Sequence, residues 1–349
     1  MLSPKTNTMK KLGLVLMLLA VSFVSLWGKS IEFTVLQMNV WHEGTQVKGG
    51  FEAIADEVAR LSPDIVMFSE IRNYHGKKFI PRILEALKKR GAEYNGYHSD
   101  FGDCSLLTKF KILEHHPIKE QRTSMSKTRI EIDGKQVVVY ACHLNYTNDA
   151  TFLPRGYDGN TWKKLDAPVT DVKQIEQMMH NSFRGEGIRA AIKDAENEQD
   201  HIVIIGGDFN EASHLDWNEE TKDLWDHNGT VVNWECSNEL ISRGYKDAYR
   251  EIYPNPITHP GFTFPADNKD VSIEKLAWAP DADERCRLDF VYFMPNKKLK
   301  VKDAIIVGPD CSIIRGERAK ETSKDKFITP LGVWPTDHKA MLVTFKLKK

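Results

Sequence analysis

The chain has 349 residues, 41% hydrophobic and 28% charged, with a formal net charge of −1. That length and apolar content supply a large buried core and exclude an intrinsically disordered chain. The near-neutral balance lacks the excess of base typical of proteins that live by neutralising a phosphate backbone, while leaving room for a local basic groove.

In chain order, the first feature is an address. Lys10 and Lys11 precede the uncharged residues 12–27, which are followed by Gly28, Lys29 and Ser30. This is the pattern of a signal peptide over residues 1–30, shorter in its apolar part than a comfortable bilayer span, with an uncleaved anchor as the alternative. The expectation is an exported protein (periplasmic, secreted or cell-surface) with no stable membrane span once the leader is removed. Residues 1–30 hold four lysines and no acid, so 44 bases would then face 49 acids, a mildly acidic mature chain of about −5.

Residues 31–349 read as one domain. A strand at 33–41, a helix at 51–61, a strand at 64–70 and a helix at 81–90 make an α/β opening. Strand-like runs follow at 104–110, 128–132 and 136–145, with Asp133-Gly134 predicting a tight hairpin between the last two. The polar stretch 146–170 reads as loop. It leads into a helical pattern over 172–196, where Ile175, Met178, Met179, Phe183 and Ile188 supply the apolar positions. Runs at 201–207, 288–294, 300–307 and 340–347 make the C-terminal half strand-rich. Strands alternate with helices, yet the hairpin demands antiparallel pairing, so the sheets must be mixed. The fold expected is α/β (α+β), a four-layer sandwich in which two packed mixed β-sheets are flanked by helices. Five scattered cysteines form no C-x-x-C pair, which leaves a zinc or redox motif unsupported, while export would permit disulfides.

Acids and amides recur where strands end: Asn39, Glu70, Asp208 with Asn210, Asp289, and Asp337 beside His338. Oxygen ligands of this kind suit a hard cation, Mg²⁺ or Mn²⁺, with Ca²⁺ also admissible, and imidazoles can donate to phosphate oxygens. Phosphoryl chemistry is the natural inference. Taken singly, each residue also has an ordinary use: Asn39 in a turn, Asp208 as a helix cap, Asp289 paired with Arg287, the others as surface groups.

Six short motifs stand in order: Gln37-Met38-Asn39-Val40-Trp41, Ser69-Glu70, His143-Leu144-Asn145, Gly206-Gly207-Asp208-Phe209-Asn210, Arg287-Leu288-Asp289 and Thr336-Asp337-His338. Together they resemble the endonuclease/exonuclease/phosphatase superfamily, which includes deoxyribonucleases, abasic-site endonucleases, sphingomyelinases and inositol polyphosphate phosphatases. The resemblance implies that Glu70 binds the essential metal, with Asn39 and Asp337 close to it. It implies further that Asp208, helped by Asn210, deprotonates the attacking water. His143 and His338 would hydrogen-bond the phosphate, and Asp289 would hold the tautomer of His338. The reaction implied is one in-line displacement by water at phosphorus.

Specificity is expected from residues 152–164, between His143 and Asp208. Arg155, Lys163 and Lys164 could hold phosphate there, and Tyr157 and Trp162 could stack on a substrate, with Asn145 as a further contact. The alternative is a long solvated loop pinned by its aromatics. Residues 258–265 would shape the opposite wall or form a Pro/Gly turn. His42, His75, His98, His115, His116 and His180 lack motif support, so a solvated or structural role is the default. The function expected is an exported phosphoesterase acting on a small or lipid-derived phosphodiester or monoester. The alternatives are a secreted nuclease, with nucleic acid as substrate, and a noncatalytic binding protein on the same fold. No protein partner is inferred.

Overall fold

Alternation of side chains decides the architecture. In β1 (Ile31–Asn39), Phe33 and Val35 join one apolar cluster while Leu36 and Met38 join another, so both faces of the strand are covered. The computed structural model describes residues 30–73, 76–120, 122–198 and 200–348, and the expected leader up to residue 29 lies outside the described residues. Further strands are β2 (Ile65–Ser69), β3 (Asn95–Gly96), β4 (Cys104–Thr108), β5 (Lys111–Pro117), β6 (Ser124–Ile132), β7 (Lys135–His143) and β8 (Ile202–Asp208). The C-terminal half adds β9 (Lys246–Asp247), β10 (Asp289–Phe293), β11 (Leu299–Val307), β12 (Cys311–Ile314), β13 (Glu317–Lys320), β14 (Phe327–Ile328) and β15 (Ala340–Leu347).

One sheet runs β14-β11-β15-β1-β2-β4-β3 and the other β5-β6-β7-β8-β10-β9, with β12 and β13 as a separate hairpin. Each large sheet has a central parallel pair, β1 with β2 and β7 with β8, between antiparallel neighbours. A parallel pair needs a crossover. The first is α1 (Gly50–Leu61), and α2 (Phe79–Lys89) lies beside it on the same outer face, burying Ile54, Val58, Ile83 and Leu87 against Leu36 and Phe68. The second crossover contains α3 (Val172–His180) and α4 (Arg184–Ala195); α4 and α5 (Glu235–Ser242) cover the far side of the other sheet. Between the sheets lies the cluster of Phe33, Val35, Met67, Val137, Val139, Ile202, Ile204 and Val291. The four-layer mixed sandwich expected from the sequence is therefore the fold observed.

Asp133 and Gly134 both adopt left-handed φ (49° and 73°) between Ile132 and Lys135, the backbone a two-residue hairpin requires. Gly207, at φ 152°, permits a closer approach still: a Cβ there would lie 1.9 Å from the Cys142 carbonyl oxygen. Only glycine lets β8 sit against β7 directly before Asp208.

Three differences from the sequence reading have physical causes. The helix expected over 172–196 breaks after His180, because Phe183 takes φ 63°. Arg184 is thereby buried, donating to the carbonyls of Asn145, Thr147 and Asn148 and to Glu211. Periodicity cannot register such a break, because the apolar spacing resumes on its far side. Strand β5 and the β12–β13 hairpin were absent from the reading; their mixed exposure gives no two-residue alternation. Residues 149–157, within the expected loop, form a short 3₁₀ helix (Ala150–Phe152) and turns and are buried rather than solvated. All five cysteines are free thiols, four of them buried. Among the described residues no helix is long and apolar enough to cross a membrane.

Candidate active site

The inward stripe of each central strand is apolar until its C-terminal end. Phe33 and Val35 give way to Gln37 and Asn39, Ile65 and Met67 to Ser69, Val137, Val139 and Ala141 to His143, and Ile202 and Ile204 to Asp208. Both parallel pairs thus end in polar groups on the inter-sheet face, and the register sets His143 opposite Asp208 and Asp208 opposite Asp289. The two sheets are tied here by Ser69, whose hydroxyl donates to the Cys142 carbonyl and accepts from the Asp208 N–H.

Strained backbone surrounds this row. Glu70 has φ 66°, Asn210 φ 48°, and Trp41, His42 and Glu43 are left-handed in succession. Such conformations persist where tertiary contacts overdetermine them. The turn at 41–43 aims the His42 N–H at Glu70 Oε2 (3.0 Å), and the Asn210 N–H donates to Asp208 Oδ1 (2.8 Å). Asn39 bridges the two acids, its amide donating to Glu70 Oε1 (3.1 Å) and Asp208 Oδ2 (2.8 Å), while its oxygen accepts from the Trp41 N–H. Asn39 therefore both shapes a turn and orients the two carboxylates.

Two imidazoles face Asp208. His143 Nδ1 lies 2.9 Å from Asp103 and His338 Nδ1 lies 2.8 Å from Asp289; their Nε2 atoms stand 3.9 and 3.8 Å from Asp208 Oδ2. Burial would push His143 down, but the charge and hydrogen bond of Asp103 lift it to about 9. Burial is likewise overcome at His338, which Asp289 and Asp208 raise well above the ordinary imidazole value. Burial pushes the Asp208 carboxyl up to about 6, only partly offset by His338 and His143. Asp337 is pushed to about 7 by burial, with Glu70 adding to the effect. At Glu70 burial is outweighed by the charges of His143, His42 and Arg72, which hold it below its ordinary value. Asp289 is fixed by the Gln37 amide (2.9 Å), and Arg287 pairs with Asp216 and Asp247, not with Asp289.

Above this floor opens a cavity of about 270 Å³ lined by Glu70, Asn210, Asp337 and His338 at one end and by Tyr146, Phe152, Trp162 and Trp278 at the other. Phe264, from the stretch expected to form the opposite wall, also lines it. Of the expected substrate contacts, Trp162 reaches the cavity and five do not line it, Lys164 among them, which donates to Asp281. Asn145 donates to the Ser182 carbonyl and accepts from Thr147. Arg155 is buried, donating to the carbonyls of Thr151, Asp283 and Arg285, and lies over Trp217. Tyr157 accepts from the Asp281 N–H, and Lys163 points to solvent. His42, assigned no role from sequence, lines the cavity with its Nε2 3.2 Å from Glu70. Asp103 was also missed; it directly precedes a short strand and belongs to none of the six motifs.

Two groups have donor atoms within 4.8 Å of one another, Glu70 with His143 and Asp208, and Asp208 with Asp289 and His338. Neither group includes Asp337. With both imidazoles favoured as cations, the carboxylate oxygens are the atoms suited to a hard divalent ion.

The fold agrees with what comparison finds. The chain belongs to the Endonuclease/Exonuclease/phosphatase family, whose model matches residues 36–338. An uncharacterised Caenorhabditis elegans protein, F14F9.5, is 26% identical over 290 residues, covering 81% of this chain and 85% of that protein. Among solved structures, TDP2 from C. elegans is similar with a TM-score of 0.52 at 18% identity, covering 95% of this chain and 80% of that one. The human Nocturnin catalytic domain with bound sulfate is similar with a TM-score of 0.52 at 14% identity, covering 92% and 98%. At these identities the likeness is one of fold.

Proposed function

We propose that this chain is an exported, divalent-metal-dependent phosphoesterase that hydrolyses a small or lipid-derived phosphodiester or phosphomonoester by in-line attack of water. The observation that carries the proposal is the pair of aspartate-backed imidazoles whose Nε2 atoms converge on one buried carboxylate, Asp208. Two cationic N–H donors facing a proton acceptor meet the needs of a transferring phosphoryl group: charge stabilisation on its oxygens and removal of a proton from the incoming water.

In this reading Asp208 takes the water proton at Oδ2, and Asn39 and Asn210 hold the carboxylate in place. His143 and His338 donate from Nε2 to the phosphoryl oxygens, oriented by Asp103 and Asp289. A raised Asp208 and two raised histidines place base and acids on either side of neutral pH. Glu70, with the neighbouring Asn39 and Asp337, would hold the metal, and their oxygen set favours Mg²⁺ or Mn²⁺ over softer ions. A divalent ion there supplies charge neutralisation for the phosphate and its leaving oxygen. Export is supported by Lys10, Lys11 and the uncharged run after them, ahead of a single family domain over residues 31–349.

A secreted nuclease is the second reading. D. rerio TDP2 complexed with a single-strand DNA product is similar in fold, with a TM-score of 0.51 at 15% identity, and the aromatic end of the cavity could stack a base. The decisive assay compares purified protein with Asp208→Ala on a chromogenic monoester, a chromogenic diester and plasmid DNA, with Mg²⁺ or Mn²⁺ and a chelator control. Chelator-sensitive hydrolysis of the small esters, absent from the variant, is the outcome expected. Cleavage of DNA alone would favour the nuclease. Inactivity on all three would favour a binding protein.

A further inference from the structure

The aromatic end of the cavity has a chemistry of its own. Trp162 and Tyr146 lie parallel, with centroids 6.2 Å apart and planes 9° apart, and Trp278 meets Trp162 edge-on at 4.3 Å and 83°. Phe152 completes this end, and Asp149, only 7% exposed, lines the same cavity. The Asp149 carboxylate accepts from the N–H and hydroxyl of Thr151, and among the described residues no lysine, arginine or histidine forms an ion pair with it. The cationic groups of the cavity are engaged at the phosphate end: Arg72 with Asp103 at 3.2 Å, and His338 with Asp289.

The walls are preformed. Glu284 accepts from the N–H groups of Trp278 and Ala279, fixing the turn that carries Trp278. Across the cavity, the Asp149 N–H donates to the Gly159 carbonyl, and a Cβ on Gly159 would lie 2.1 Å from the Asp149 oxygen, so the strap carrying Tyr146, Phe152 and Trp162 closes tightly on itself.

Ring faces are negative, and a buried carboxylate without a cation beside them is costly. A nucleobase would stack and could donate an N–H to Asp149 but brings no positive charge, and a neutral alkyl group would leave the carboxylate without a partner in the box. An organic cation satisfies both. We propose that this box binds an alkylammonium group, so that the phosphoester hydrolysed here is zwitterionic, of the choline-phosphate type. This rests on the phosphoesterase reading above for the adjoining site, and it names the substrate class.

The test measures binding separately from turnover. In chelator, the full chain is titrated with phosphocholine, with its neutral carbon isostere 3,3-dimethylbutyl phosphate, and with adenosine monophosphate, following tryptophan fluorescence. Phosphocholine should bind about tenfold or more tighter than the isostere. In Asp149→Asn, which keeps an oxygen acceptor for Thr151, and in Trp278→Leu, that ratio should fall toward one. Equal affinity for phosphocholine and the isostere, tighter binding of the nucleotide, or no binding of any of them would overturn the inference. A parallel assay of bis(p-nitrophenyl) phosphate with Mg²⁺ keeps the two claims apart. Hydrolysis without choline preference sinks only the cation box. Choline preference without chelator-sensitive hydrolysis sinks only the phosphoesterase reading.

Discussion

His143, Asp208 and Asp289 stand side by side on paired strands, whereas Tyr146, Phe152, Trp162 and Trp278 reach the same cavity from loops and a single 3₁₀ turn. The floor inherits its geometry from sheet register: a slip of one residue would turn every one of its side chains to the opposite face. The wall has no such frame. Its shape depends on buried polar anchors, Arg184 under the strap and Glu284 under Trp278. Precision in the floor is therefore a by-product of core packing, while in the wall it depends on a few hydrogen-bonded charges. Substitutions in the floor should damage chemistry more than folding, and substitutions under the wall should do the reverse.

The largest effect should follow from Asp208→Ala, with a loss of about 10²- to 10⁴-fold in chelator-sensitive hydrolysis and a thermal midpoint close to that of the parent. Parent-level activity would remove Asp208 from the role of base. Arg184→Ala should give the opposite signature. It strips the buried Glu211 of its partner and leaves three carbonyls unserved, at a cost of about 3–5 kcal/mol in chemical denaturation. A cost under about 1 kcal/mol would mean that the strap holds without this anchor.

A smaller effect, visible as pH dependence, should separate the two histidine dyads from ordinary packing. In metal-free protein His143 is held at about 9, above its value of about 6.5 in the unfolded chain. Its stabilising contribution is complete below about pH 6.5 and is lost as pH rises through about 9. The carboxylates of Asp103, Glu70 and Asp208 favour its cationic form. Asp103→Asn removes the largest of these, so the gap in thermal midpoint between parent and variant should be widest near pH 6 and shrink toward pH 9. A gap independent of pH would mean that Asp103 supports His143 only by hydrogen bonding. Least affected should be Lys163→Ala: the side chain is exposed and lies outside the cavity, so kcat/KM should stay within about twofold of the parent. A tenfold fall in kcat/KM would restore Lys163 as a substrate contact.

Much of the floor was legible because its signal is local. Asn39, His143 and Asp208 each end a short apolar run, so a strand prediction also predicts where a polar group meets the core's edge. Asp103 and Gln37 were given no role for a corresponding reason: each matters through a partner, His143 or Asp289, that lies 40 or 252 residues away. Arg155 misled for the converse reason, since a basic residue beside glycine and aromatics looks the same in sequence whether it greets phosphate or is buried among carbonyls. His42 carried no motif, and only the left-handed turn after β1 brings its ring to Glu70.

By itself, then, the amino-acid order determined the central strands and crossovers, the tight hairpin at Asp133-Gly134 and the polar terminus of each central strand, because these follow from apolar patterning and backbone preference over a few residues. Tertiary structure alone decided which acid backs which histidine, where the helix at 172–196 breaks, and which aromatics face the cavity. Those outcomes depend on burial and on unpaired donors and acceptors meeting across long loops, and the free energy of such meetings is not a property of any short segment.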